Sequence, residues 1–212
     1  MAPALLDVAD LACRRGGRRV FAGLSFGLAS GELLTLTGRN GSGKTTLLRA
    51  LALLVRPHAG TIRWQGEDVQ GEADAWRSRL AWLGHLDGLK GDLSVRENLV
   101  VAQRLRGGRG GEERLDGVLV VLDLTSLAMR PVRTLSAGQR RRTALARVVL
   151  SGAPLWLLDE PLNALDQAAQ EAFRVVVRTH LDAGGLAIVA THADLAMPGS
   201  RALQLASGPP VP

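Results

Sequence analysis

Tyrosine is absent from this chain, cysteine occurs once, and only Lys44 and Lys90 among its 26 cationic residues are lysine. Each scarcity excludes something. Cys13 alone cannot form an internal disulfide, which fits a reducing compartment, the cytoplasm by default. Aromatic residues make up 3% and do not interleave with basic runs, so the stacking platforms that hold single-stranded nucleic acid are missing. Despite a net charge of +6, therefore, no nucleic-acid partner is expected. No apolar run approaches the roughly 18 residues of a membrane span. ALALLV (50–55) and GLAIVA (185–190) are core-sized. The start, MAPALLDVAD, has no basic segment ahead of an apolar one, so no signal peptide is expected. Positive charge is written almost everywhere as arginine. A lysine kept against that bias suits a place that needs a compact point charge rather than a planar fork.

What is present has the proportions of a globular domain, with 46% hydrophobic and 22% charged residues in 212. Apolar runs ALLDVADLAC, GLSFGLA and ELLTLTG, separated by RRGG and ASG, predict strands. From Thr45, TTLLRALALLV has helical spacing that stops before Pro57, and TIRWQGEDV predicts a hairpin turning near Gly66. SVRENLVVAQRLR and EERLDGVLVVLDLTSLA predict helices joined by RGGRGG (106–111), a loop tip. A helix from Ser136, the strand PLWLLDE, the helix QAAQEAFRVVVRTHL and the strand LAIVATH follow. Strands alternating with helices predict one α/β domain over 1–212, with a largely parallel sheet and a helical lobe at about 86–150.

GRNGSGKT (38–45) has the spacing G-x-x-x-x-G-K-[ST] between a predicted strand and a predicted helix. Glycines there let backbone N–H groups turn inward around phosphate oxygens, and the following helix aims its positive end at them. The candidate phosphate-binding residues are Gly38, Arg39, Asn40, Gly41, Ser42, Gly43, Lys44, Thr45 and Thr46. Lys44 would reach the β- and γ-phosphates, and the Thr45 hydroxyl would hold Mg²⁺. The alternative is a glycine loop that only turns the chain.

PLWLLDEPLNALD (154–166) supplies acid at the end of a strand whose LWLL core reads as buried on both faces. Ligands of open α/β sheets bind at such carboxyl ends. Asp159 can hold Mg²⁺ through water, and Glu160 can polarise the water that attacks the γ-phosphate. His192, after the apolar LAIVAT, could contact the γ-phosphate as a neutral imidazole; a core histidine is the alternative.

Together these residues resemble the ATP-binding cassette family. LSAGQ (135–139) is similar to its signature sequence, ASGELLTLTGRNGSGKTTLLRAL to its first segment, LLDEPLNALD to its acidic motif with D-loop, and THADL to its switch-histidine region. The resemblance covers nearly the whole chain. It implies a P-loop nucleotide-binding domain with a RecA-like sheet core, an antiparallel β subdomain and a helical lobe. It also implies ATP and Mg²⁺ as cofactors, and a head-to-tail homodimer holding each ATP between one phosphate loop and the partner's signature. Ser136, Gly138 and Gln139 would meet that nucleotide, and Asp166 would lie at the dimer interface. Physical reading agrees, since Ser136 and Gly138 open a helix whose donors suit an anion.

Two departures stand out. The family usually places an aromatic near position 15 to stack on adenine; here CRRGGRR offers Arg15, whose guanidinium could stack instead or simply be exposed. His85 in LGHLDGLK stands where glutamine is usual, reaching Mg²⁺ and reporting nucleotide state to the membrane partner. Imidazole is a poor Mg²⁺ ligand, so His85 would act through a water or as an interface residue. LGH, GLK with Lys90, and LSVRENL resemble as a block the haem-exporter ATPases of cytochrome c biogenesis; isolated drift of His85 from glutamine is the alternative. That branch implies a peripheral subunit on the cytoplasmic face of the inner membrane. Its expected partners are a CcmB-like integral permease and CcmC-, CcmD- and CcmE-like components, with hydrolysis linked to releasing a haem-loaded chaperone. An ATPase for a lipid, lipoprotein or drug exporter, or a cassette ATPase without a membrane partner, competes with it. No C-x-x-C-H is present, so direct haem handling is not expected, and His58 and His180 read as surface or helix residues.

Overall fold

The computed structural model describes residues 4–105, 107, 111–193, 195 and 197–205. In chain order its first half comprises β1 (Leu6–Arg15), β2 (Arg18–Leu28), β3 (Leu33–Thr37), α1 (Lys44–Leu51), β4 (Ala59–Trp64), β5 (Glu67–Asp68), α2 (Ala73–Ser78) and β6 (Leu80–Leu83). Then follow α3 (Val95–Leu105), α4 (Gly111–Val121), α5 (Ala137–Leu150), β7 (Leu155–Asp159), α6 (Gln167–Asp182), β8 (Leu186–Ala190) and β9 (Arg201–Gln204).

Five strands form a wholly parallel sheet in the order β6-β7-β8-β3-β9. LWLLD and LAIVA are buried throughout, as strands covered on both faces must be. Because side chains alternate along a strand, each central strand feeds two cores. Leu155, Leu157, Leu186 and Ile188 pack toward α1 and the second sheet, while Trp156, Leu158, Ala187 and Val189 pack toward α3, α4, α5 and α6. The second sheet is antiparallel, ordered β2-β1-β4-β5, and its strands alternate between buried and open positions. Residues 86–150 hold α3, α4 and α5, and α5 shares a core with the parallel sheet through Ala144, Leu145 and Val148.

The α/β expectation and the parallel sheet agree with this architecture. Three elements go unread in the sequence: α2, β6 and β9, of six, four and four residues, too short to show a period. Two predicted helices run too long. α1 stops at Leu51 because Leu53 takes a left-handed φ of 52°, and α4 stops at Val121 ahead of Asp123 at 50°. Apart from Gly107 and Gly111, RGGRGG lies outside the described residues, as does Asp194 of THADL.

Candidate functional site

β3 ends at Thr37, and the chain turns through glycines into α1. Gly41 and Gly43 have φ of 81° and 101°, which side-chain-bearing residues rarely adopt. A Cβ at Gly38 would stand 2.6 Å from the Leu205 carbonyl oxygen, so no larger residue fits that turn. Gly43 caps α1 without a side-chain partner, leaving its first amide N–H groups free to point at an anion. The Ser42 hydroxyl beside them is buried and has no hydrogen-bond partner.

Lys44 is 7% exposed. Its Nζ donates to Gly38 O at 2.8 Å and lies 3.0 Å from His192 Nε2. Thr45 Oγ1 donates to Asp159 Oδ2 at 2.8 Å, joining the start of α1 to the carboxyl end of β7. Next along, Glu160 sits at φ 48°, a strained conformation for a non-glycine residue, with Oε1 3.4 Å from His192 Nε2. His192 Nε2 thus stands between a cation and a carboxylate: it accepts from Lys44 in one tautomer and donates to Glu160 in the other. His85 Nε2 is 3.8 Å from Asp159 Oδ2, and its side chain is 63% exposed.

These groups share one cavity of about 710 Å³, lined by Arg15, residues 40–46 of the glycine loop, His85, Asp159, Glu160 and His192, with Asn163 and Thr191 besides. Gly38 and Arg39 line a neighbouring hollow with His192. Ser136, Gly138 and Gln139 do not line the cleft. Ser136 instead caps α5: its Oγ accepts from Gln139 N at 3.2 Å, and its own N–H donates to Gln139 Oε1 at 2.9 Å. The Ser136 hydroxyl proton remains available to an outside acceptor. Gly138 lies against the turn after β7, where a Cβ would stand 2.6 Å from Ala164 O. Asp166 is exposed and caps α6 through Ala169 N at 2.8 Å.

Arg141 is a positioning residue that the sequence reading missed. It is 6% exposed, and its guanidinium donates to Gly84 O (2.7 Å), Asp159 O (2.7 Å), Glu160 O (2.7 Å) and Asp87 Oδ1 (3.2 Å). One planar fork therefore ties the His85 segment to the acidic strand end. A signal was present: Arg141, Ala144, Leu145 and Val148 have helical spacing, which places the middle of RRR on an apolar stripe. His180 is a helix residue, as expected, on α6, but it is not an isolated one. It stacks on Trp156 with ring centroids 3.8 Å apart, and burial pushes its pKa below the usual imidazole value.

A glycine cradle, a buried lysine, paired strand-end carboxylates and a helix-capping signature define a P-loop ATPase of the cassette class. The sequence model of the ABC transporter family matches residues 21–163. A solved structure of the ATP-binding subunit of an ABC transporter superposes with a TM-score of 0.82 at 26% identity, covering 89% of this chain and 79% of that one. The cytochrome c biogenesis ATP-binding export protein CcmA of Rhodospirillum rubrum is 48% identical over 96% of this chain and 87% of its own length. Its namesake from Paramagnetospirillum magneticum is 45% identical over 97% and 95%. The chain belongs to the ABC transporter family and, within it, to the cytochrome c biogenesis ATP-binding export proteins.

Proposed function

We propose that this chain is the ATP-hydrolysing subunit of a cytochrome c biogenesis export system, powering release of a haem-loaded chaperone through a separate membrane subunit. As a member of the family it is an ATPase coupled to transport. The observation that carries the reading is the meeting of Lys44, Thr45, Asp159, Glu160 and His192 in one cleft.

Backbone N–H groups of residues 40–45 would bind the phosphates, and the Lys44 ammonium would move from the loop carbonyls to the β- and γ-phosphate oxygens. Hard oxygen donors suit Mg²⁺, and Thr45 Oγ1 and Asp159 Oδ2, 2.8 Å apart, fit it. Bound there, Mg²⁺ would supply positive charge against the β,γ-phosphate oxygens. Glu160 would orient the attacking water and take its proton, and His192 would hold the γ-phosphate from the other side. Lysine suits position 44 because it must present a point charge in a narrow loop.

Two copies would complete the site. Ser136 is exposed, outside the cleft of its own chain, and has a hydroxyl proton to donate, which supports docking on a second chain's nucleotide. Among the described residues no helix is long and apolar enough to cross a membrane. A CcmB-like permease with CcmC-, CcmD- and CcmE-like components would then supply the membrane part. Leu86, 87% exposed beside His85, would offer such a partner an apolar contact.

The test is a pair of variants in the assembled complex. Lys44→Ala removes nucleotide binding, whereas Glu160→Gln binds ATP and stops turnover. Wild-type hydrolysis by Glu160→Gln would refute the role given to Glu160.

A further inference from the structure

At the other end of the parallel sheet lies a second cavity, of about 680 Å³. Gly152–Pro154 and Gly184–Gly185, which lead into the amino ends of β7 and β8, form part of its wall, whereas the nucleotide cleft opens at the carboxyl ends. α4, the end of α5 and the outer face of α6 enclose it through Val118, Val121, Val149, Val175 and Val176. Its floor is the stacked pair Trp156 and His180. His180 Nε2 lies 3.1 Å from Leu186 O, and its ring occupies the space that a Cβ on Gly185 would need, so the stack is locked in place.

One observation separates this cavity from a merely apolar hollow. Among the described residues the ionisable side chains lining the cavity are Arg114 and His180, and no carboxylate lines it. Burial holds His180 toward its neutral form, which leaves Arg114 at the rim as the cation. Thr179 spends its hydroxyl on Val175 O at 3.0 Å. Positive charge at Arg114 therefore faces an apolar cavity with no acid among the described residues to answer it.

We propose that this cavity binds an amphipathic anion, with its apolar body on the valines and the Trp156–His180 floor and its anionic head at Arg114. A long-chain carboxylate and an anionic membrane lipid share that chemistry. The site would act on turnover, because α5 and α6 line it near their ends and begin at Ser136 and Asp166, while β7 carries Trp156 three positions before Asp159. An occupant thus bears on the elements that carry the nucleotide chemistry without touching the nucleotide.

Titration of the full chain with 1-anilinonaphthalene-8-sulfonate tests this. Saturable binding at one site per chain is expected, and saturating ATP should not displace the probe. Arg114→Glu, on an exposed stretch of α4, should weaken that probe about tenfold and leave its uncharged relative N-phenyl-1-naphthylamine unaffected. Arg114 also donates to Val149 O at 3.0 Å, so Val175→Glu, at the half-exposed mouth, is the second variant; it should weaken the anionic probe likewise and, by removing apolar wall, the uncharged one to a lesser degree. Displacement by decanoate supports a free amphiphile at the site, and displacement only by phosphatidylglycerol vesicles supports a membrane lipid there. Displacement by neither, equal probe affinity in wild type and both variants, or competition with ATP would overturn the proposal.

Discussion

His85 and Arg141 show how much one side chain decides in this cleft. A glutamine would offer Asp159 a hard amide oxygen neighbour, whereas His85 offers a ring nitrogen 3.8 Å from Asp159 Oδ2 and mostly in solvent. Its exposure beside Leu86 points to coupling with a partner rather than to the bond-breaking step. His85→Gln is accordingly expected to keep basal hydrolysis at the wild-type order of magnitude and to alter stimulation by the membrane partner. ATPase assays with and without that partner check this, and near-total loss of basal activity would place His85 in the chemistry. Arg141 works differently, through the carbonyls of Gly84, Asp159 and Glu160 that it gathers. Arg141→Met strands those acceptors and should cost ~3 kcal/mol of stability in denaturant melts. Arg141→Lys, which keeps charge and loses the fork, should recover little turnover, with kcat falling more than KM.

At the scale of elements, the first turn of α5 and the turn after β7 touch without spare room. A Cβ on Gly138 would press on backbone, Ala164 O, where no side chain can swing away. Gly138→Ala should therefore displace the Ser136 cap relative to Asp159–Glu160, lowering turnover while leaving ATP affinity near wild type, as read by nucleotide titration beside hydrolysis assays. α5 and α6 were legible in sequence because each pairs a helical apolar stripe with a side-chain cap, Ser136 and Asp166. α2, β6 and β9 were not. Trp76, on α2, is held by Trp64 at 5.6 Å and by Leu51 O at 2.7 Å, partners far away in the chain, and no local pattern announces them.

Across the whole molecule, two cores back one sheet, and a half-buried imidazole packed beside one of them makes stability depend on pH. His180 has a folded-state pKa below its ordinary value of 6.5, chiefly through burial. Below about pH 6.5 the unfolded chain then binds more protons than the folded one, so stability is complete above that pH and declines as pH falls toward the folded-state pKa. Urea unfolding from pH 8 to 5 should show this slope, and His180→Phe, which keeps a ring on Trp156, should flatten it. An identical slope in the variant would assign the acid sensitivity elsewhere.

The phosphate loop, the acidic strand end, the signature and the alternation of strands with helices were written in the sequence alone, because each depends on residues adjacent in the chain and on local backbone geometry. The arrangement around them was not. That Thr45 meets Asp159, that Lys44 meets His192, and that Arg141 joins Gly84 to Glu160 depend on contacts 114, 148, 57 and 19 residues apart. Such contacts form only when the parallel sheet brings the strand ends together. The same holds for the Trp156–His180 floor, which forms only where α6 packs over the amino ends of β7 and β8.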